Sequence, residues 1–134
     1  MKRTAILVAR LIFGGVFLLS ASFKFWVMGM DATAAEIAGA GFPFPLFLAW
    51  VAAFFELGLA LGFLTGLLFS EVALIAAAYV LFLAFAFHGP NRFAANPIEF
   101  GFFVDHFTFI AGLLFAAVHG PGDKLVLRRG IIQS

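Results

Sequence analysis

Glu56 places a carboxylate in the middle of one of the most apolar stretches of this chain, and Arg10, Lys24, His88, Asp105 and His106 interrupt or close other such stretches. Cations, acids and imidazoles in one place can pair as ions or hold the carbonyl or carboxylate of a ligand by hydrogen bonds. Each is costly in apolar surroundings unless it meets a partner or faces a polar cavity. Glu56 says most, because its short side chain cannot reach water from mid-stretch. It is expected to contact Arg10, Lys24 or a polar ligand. Arg10 has a competing reading as a packing and topology device whose stem snorkels to lipid headgroups.

Other chemistries find little support. The sequence has no Cys, which removes disulfides, thiolate ligands and dithiol relays. Phosphate-cradling loops, helical zinc motifs and Ser/His/Asp arrangements are missing from it, and no metal site is expected. His88 and His106 could serve as axial haem ligands, but their expected depths differ and there is no Cys-based attachment motif. A net charge of +1 gives no reason to expect nucleic acid.

The elements that must position these residues follow from hydropathy. Of 134 residues, 64% are hydrophobic and 11% charged, against about 25% charge in a typical soluble domain. A spanning helix needs about 20 mostly apolar residues. Four stretches meet this, at about 5–24, 45–68, 71–88 and 97–119. They predict an all-α integral membrane four-helix bundle over residues 1–134. Thr65, Gly66, Ser70 and Glu71 mark a tight turn that makes the second and third spans antiparallel neighbours. Asp31 can cap a short helix to Ile37, which Gly39, Gly41, Pro43 and Pro45 end. This helix, between spans 1 and 2, is expected at the membrane interface. Asn96, Pro97 and Glu99 form a start signal for the fourth span. The basic start and the Ser20-Ala21-Ser22 run of the first span resemble a cleavable signal, but Arg10 interrupts its apolar core, and the span is expected to be retained.

Helical spacing then sorts the faces. Arg10, Gly14, Phe17, Ala21 and Lys24 share one face of the first span, and Glu56 shares another with Ala49, Ala52, Ala53 and Ala60. Gly58, Gly62 and Gly66 form a separate small-residue row suited to close helix contact. Ser70, Ala73, Ala77, Ala84 and His88 align on the third span. Gly101, Asp105, Thr108, Gly112, Ala116 and His119 align on the fourth. These stripes predict a polar seam, with a binding site where Lys24, His88 and Asp105 reach comparable heights above Glu56. Asp105 belongs to the inward stripe, while His106, turned by about 100°, looks toward a neighbouring helix. A Lys24–Asp105 ion pair that only closes the bundle is the competing arrangement.

The Lys/Arg bias of the flanks sets orientation. Lys2, Arg3, Lys124, Arg128 and Arg129 lie on the side of both termini, and Lys24 and Arg92 on the other. Both termini are therefore expected in the cytoplasm, with Trp26 and Trp50 near the outer interface.

These residues resemble the DoxX family. The matching elements are Arg10, Gly14, Phe17 and Lys24, the Gly-Phe-Pro-Phe-Pro run at 41–45, and then Ala52, Glu56, Leu57, Gly62, Leu64, Gly66 and Leu67. His88 ends the third span, and Gly120-Pro121-Gly122 with Asp123 and Leu125 follows the fourth. The resemblance extends over about residues 5 to 127. It implies a four-span bundle in the bacterial cytoplasmic (inner) membrane. The family takes its name from a subunit linked to thiosulfate:quinone oxidoreduction; related proteins accompany amine oxidation and oxidative stress, and distant eukaryotic relatives act as cargo receptors or assembly chaperones. Four-span quinone-linked thiol oxidoreductases use paired Cys, and this chain has none. The resemblance thus implies a membrane component of a redox system that binds a quinone or a partner subunit, and at most a subunit of a quinone-linked oxidoreductase rather than an enzyme alone. The alternative is a binding or assembly module without turnover, for a lipid or another membrane protein. Membrane lipid, a partner membrane subunit or further copies of the chain are the expected partners.

Overall fold

Two left-handed residues, Gly66 (φ 70°) and Leu68 (φ 46°), reverse the chain between its second and third long helices. Gly66 fits this conformation without a Cβ penalty, which is why the second span stops at Thr65, earlier than expected. In the computed structural model, which describes residues 1–127 and 131, the order of elements is all-α. Helix α1 spans Lys2–Ser22 and runs on into a π turn at Phe23–Val27; α2 spans Met30–Gly39, α3 Pro45–Thr65, α4 Phe69–His88 and α5 Ile98–His119. A 3₁₀ turn at Pro90–Arg92 precedes α5. Four of these helices are long and apolar enough to cross a membrane, α1 counted with its π turn and α4 with the 3₁₀ turn. The short α2 lies between the first two, as the sequence predicts. Arg128 and Arg129, part of the basic bias used for orientation, lie outside the described residues.

Small residues decide which helices approach. α1 packs along α3 and α4 along α5. Gly14 lets α1 close on α3, where an added Cβ would lie 2.7 Å from the Leu64 side chain. Gly62 does the same between α3 and α4, with Val72 2.8 Å from the position of its missing Cβ. Gly58 breaks the expected row: it is exposed, and a Cβ there would meet nothing within 4 Å.

Aromatic rings close the centre. Phe17 stacks on Phe63 at 5.9 Å, and Phe13 lies 5.4 Å from Phe109, tying α1 to α3 and α5. Phe63 and Phe69 are fully buried within this cluster. Most other long apolar side chains, among them Phe47, Phe54, Phe85 and Phe115, remain exposed, as a surface that faces hydrocarbon requires. Trp26 and Trp50 gather around Phe25 at the distal end of the bundle, the end away from the termini.

At the opposite, terminal end, Arg10 is 1% exposed. Its Nε donates to the Phe63 carbonyl at 3.2 Å, Nη1 to Pro121 and Lys124 at 3.2 and 2.5 Å, and Nη2 to Leu64 and Leu125 at 3.4 and 2.7 Å. A guanidinium has five N–H donors, and every one has a carbonyl. Phe63 and Leu64 belong to the last turn of α3, whose carbonyls have no partner within the helix and form the negative end of its dipole. Arg10 therefore neither snorkels to headgroups nor reaches Glu56. It caps α3 and ties down the segment after α5, which Leu127 reinforces by donating to the Thr65 carbonyl at 2.9 Å.

Candidate functional site

Lys24 lies inside the π turn at the end of α1. Such turns add a residue to the helical repeat and shift the register of the residues beyond them. From here the Lys24 ammonium reaches back toward the bundle interior and meets Glu56 of α3, at 2.8 Å from Oε2 and 3.1 Å from Oε1. Glu56 is 3% exposed, on the Ala49–Ala53–Ala60 face anticipated from spacing. The Ser20 hydroxyl donates to Oε2 at 2.9 Å and accepts from Lys24 at 3.0 Å. The Tyr79 hydroxyl of α4 donates to Oε1 at 2.8 Å. Each carboxylate oxygen thus receives two hydrogen bonds, one of them from the cation, which keeps a charge tolerable at this depth.

A second polar group sits nearer the distal end. His88, the last residue of α4, makes an ion-pair contact through Nδ1 with Glu99 in the first turn of α5. Its ring lies 5.2 Å from that of His106, with the planes tilted by 51°. His106 Nδ1 is 2.7 Å from the Phe102 carbonyl. Only a donated N–H satisfies that carbonyl, so the neutral ring presents Nε2 as an acceptor.

Both groups face one cavity of about 850 Å³. Lys24, Glu56 and Tyr79 line its deep part; His88, Glu99, His106 and Arg92 line the distal part; Phe42, Phe55, Phe82 and Phe87 supply apolar wall. Thr33, Glu36 and Ile37 of α2 line it too. α2 is seated by Ile37 and Ala34 against Ala49, with Phe42 and Phe87 alongside, so it covers part of the distal end and leaves the space beside His88 open. Volumes of about 300–1,000 Å³ with apolar walls and a few convergent polar groups are typical of ligand sites.

The spacing on α5 turns His106 toward a neighbouring helix, as found beside His88 of α4, but places Asp105 on the wrong side. His106 lines the cavity, whereas Asp105 is exposed and does not. The Lys24–Asp105 pair is absent because Lys24 is committed to Glu56. The α5 stripe divides: Gly112 faces Phe13 and Ala116 is buried, but Gly101, Asp105 and Thr108 point outward. Arg10 stands apart from the cavity. Ser20, Tyr79, Arg92 and Glu99 enter it although sequence reasoning does not single them out as site residues. Ser20 lies four residues before Lys24, and Tyr79 is the chain's one Tyr, an unusual hydroxyl in an apolar span. Glu99 fits a helix-start pattern, yet its carboxylate goes to His88; Asn96, one residue before the Pro97 cap position, accepts through Oδ1 from the Ile98 N–H at 3.3 Å. Among the described residues no group of three or more His, Cys, Asp or Glu is placed to hold a metal ion.

Arg10, the Gly14–Phe17 face, the Lys24–Glu56 pair and His88 all fall between residues 5 and 89, the stretch that matches the model of the DoxX family. The chain belongs to the DoxX family. The matched stretch of this DoxX protein covers α1 to α4 and ends just after His88, short of the 127 expected from the residues alone. Glu99 and His106, from α5, complete the cavity from outside it. No curated protein and no solved structure matches the chain.

Proposed function

We propose that this DoxX protein is a membrane component of a redox system that holds a quinone headgroup in the cavity above Glu56, without thiol chemistry of its own. The observation that carries this reading is the Lys24–Glu56–Tyr79–Ser20 network at the base of an aromatic-walled space within the spans. A quinone carbonyl needs a hydrogen-bond donor inside hydrocarbon, and Lys24 supplies one by turning the N–H it gives Ser20 toward the ligand while it stays paired with Glu56. Phe55 and Phe82 offer flat apolar surface to the ring. The cytoplasmic membrane of a bacterium, with both termini in the cytoplasm, is the placement that goes with this role. Any turnover would belong to a complex in which this chain is one subunit.

A second reading is a binding or assembly module for a lipid or another membrane protein. It is favoured by the saturation of Glu56, whose oxygens are satisfied by this chain alone. Mass spectrometry of the protein purified in mild detergent, with its bound lipids and partners, separates the two. The quinone reading expects tightly retained quinone, and Lys24→Met should reduce it while the protein still extracts folded. Retained phospholipid or an intact protein partner with no quinone would support the second reading and overturn the first.

A further inference from the structure

The distal half of α5 carries an acid that none of the described residues covers. Asp105 is exposed and has no hydrogen bond or ion pair among the described residues. It stands seven residues after Ile98, about 10 Å along the helix at 1.5 Å per residue, in a helix of 22 residues. That depth lies within the hydrocarbon of a bilayer, and an aspartate side chain is too short to reach the headgroups. It does not line the cavity. The residues that α5 buries, Leu113, Ala116 and Ala117, all fall in its other half. Gly101 and Thr108, one turn to either side of Asp105, share its exposed face, and a Cβ on Gly101 would meet nothing within 4 Å. The face is shallow around the acid, which allows another helix backbone to approach.

We propose that this face docks a transmembrane helix of another protein that carries a lysine or arginine at the depth of Asp105. An ionisable residue facing a membrane span's surroundings calls for a partner, and among the described residues no cation pairs with Asp105: Lys24 is held by Glu56 and Arg92 lines the cavity. A second copy docked with its two-fold axis at Asp105 would set acid against acid. Charge complementarity therefore selects a foreign cationic helix. This surface is independent of what the cavity holds.

The test uses the full chain in phosphatidylcholine vesicles at neutral pH. The probe is a leucine-rich spanning peptide with one Lys about 10 Å from its end; a control peptide has Leu there. Because the chain has no Cys, a donor dye goes on Ala95→Cys, in the exposed loop before α5, and energy transfer to acceptor-labelled peptide reads association. The Lys peptide should bind roughly tenfold more tightly than the Leu peptide, and Asp105→Asn should abolish that difference without changing thermal unfolding. Equal binding of the two peptides, or undiminished preference in Asp105→Asn, overturns the proposal. So does efficient disulfide dimerisation of a Thr108→Cys chain in the same vesicles, which would assign the face to a second copy.

Discussion

Lys24 and Glu56, 32 positions apart in sequence, form a forked ion pair in which one ammonium reaches both carboxylate oxygens at 2.8 and 3.1 Å. The pair joins the π turn after α1 to the middle of α3, and Ser20 and Tyr79 complete it from either side. Its separate parts have different expected costs.

Removing the cation alone strands a charge. Lys24→Met leaves Glu56, 3% exposed, without its counterion and should lower stability by about 3 kcal/mol. The double variant Lys24→Met/Glu56→Leu carries neither charge and should recover most of that loss. Thermal unfolding in detergent checks both; a double variant no more stable than Lys24→Met would mean that charge pairing is not what holds these helices.

Tyr79→Phe removes one hydrogen bond to a charged acceptor and little volume. A loss of about 1.5 kcal/mol is expected, smaller than that of Lys24→Met, by the same measurement. Unchanged stability would show that the hydroxyl is readily replaced.

Arg10 offers a sharper contrast. Arg10→Lys keeps the charge, but an ammonium has three donors and no planar fork. At least two of the five carbonyls should lose their partner, at a cost of about 2 kcal/mol or more. The segment after α5 should then open, and tryptic cleavage at Lys124 should become faster than in the parent. Gly66→Ala should act similarly, since its Cβ would lie 2.8 Å from Arg10 Nη2 and 2.9 Å from the Leu125 carbonyl oxygen at a residue with φ 70°. Cleavage at the parent rate in both variants would show that the clamp is dispensable.

Orientation is open to direct reading. A reporter active only in the cytoplasm, fused after Ser134, should give signal, and a periplasm-active one at the same point should not. The reverse pattern would invert the bundle and place the cavity mouth in the cytoplasm.

The helices were legible because hydrocarbon leaves the backbone few alternatives: long apolar runs must be helical, and small or polar stripes stand out against the rest. On α1 the stripe Arg10, Gly14, Phe17, Ala21 coincides with the buried face. The partners were less legible. Arg10 binds main-chain carbonyls, which every residue has, so no sequence signal marks them. Ser20 and Tyr79 carry no charge, and Glu99 matches a helix-start pattern equally well. On α5 the spacing sets the angle between Asp105 and His106 but not which one turns inward, and small size marks the wrong face there because that face is open rather than packed.

The clamp at Arg10 also gives the two ends of this protein different chemistry. Its contacts run from a guanidinium to peptide carbonyls, which do not titrate, whereas Arg3 and Asp123 at the same end form an exposed ion pair at 3.0 Å. The opposite end is fastened by carboxylates and an imidazole. One end is therefore held mainly by a single guanidinium gathering main-chain carbonyls, and the other by side-chain charges that must find each other across helices.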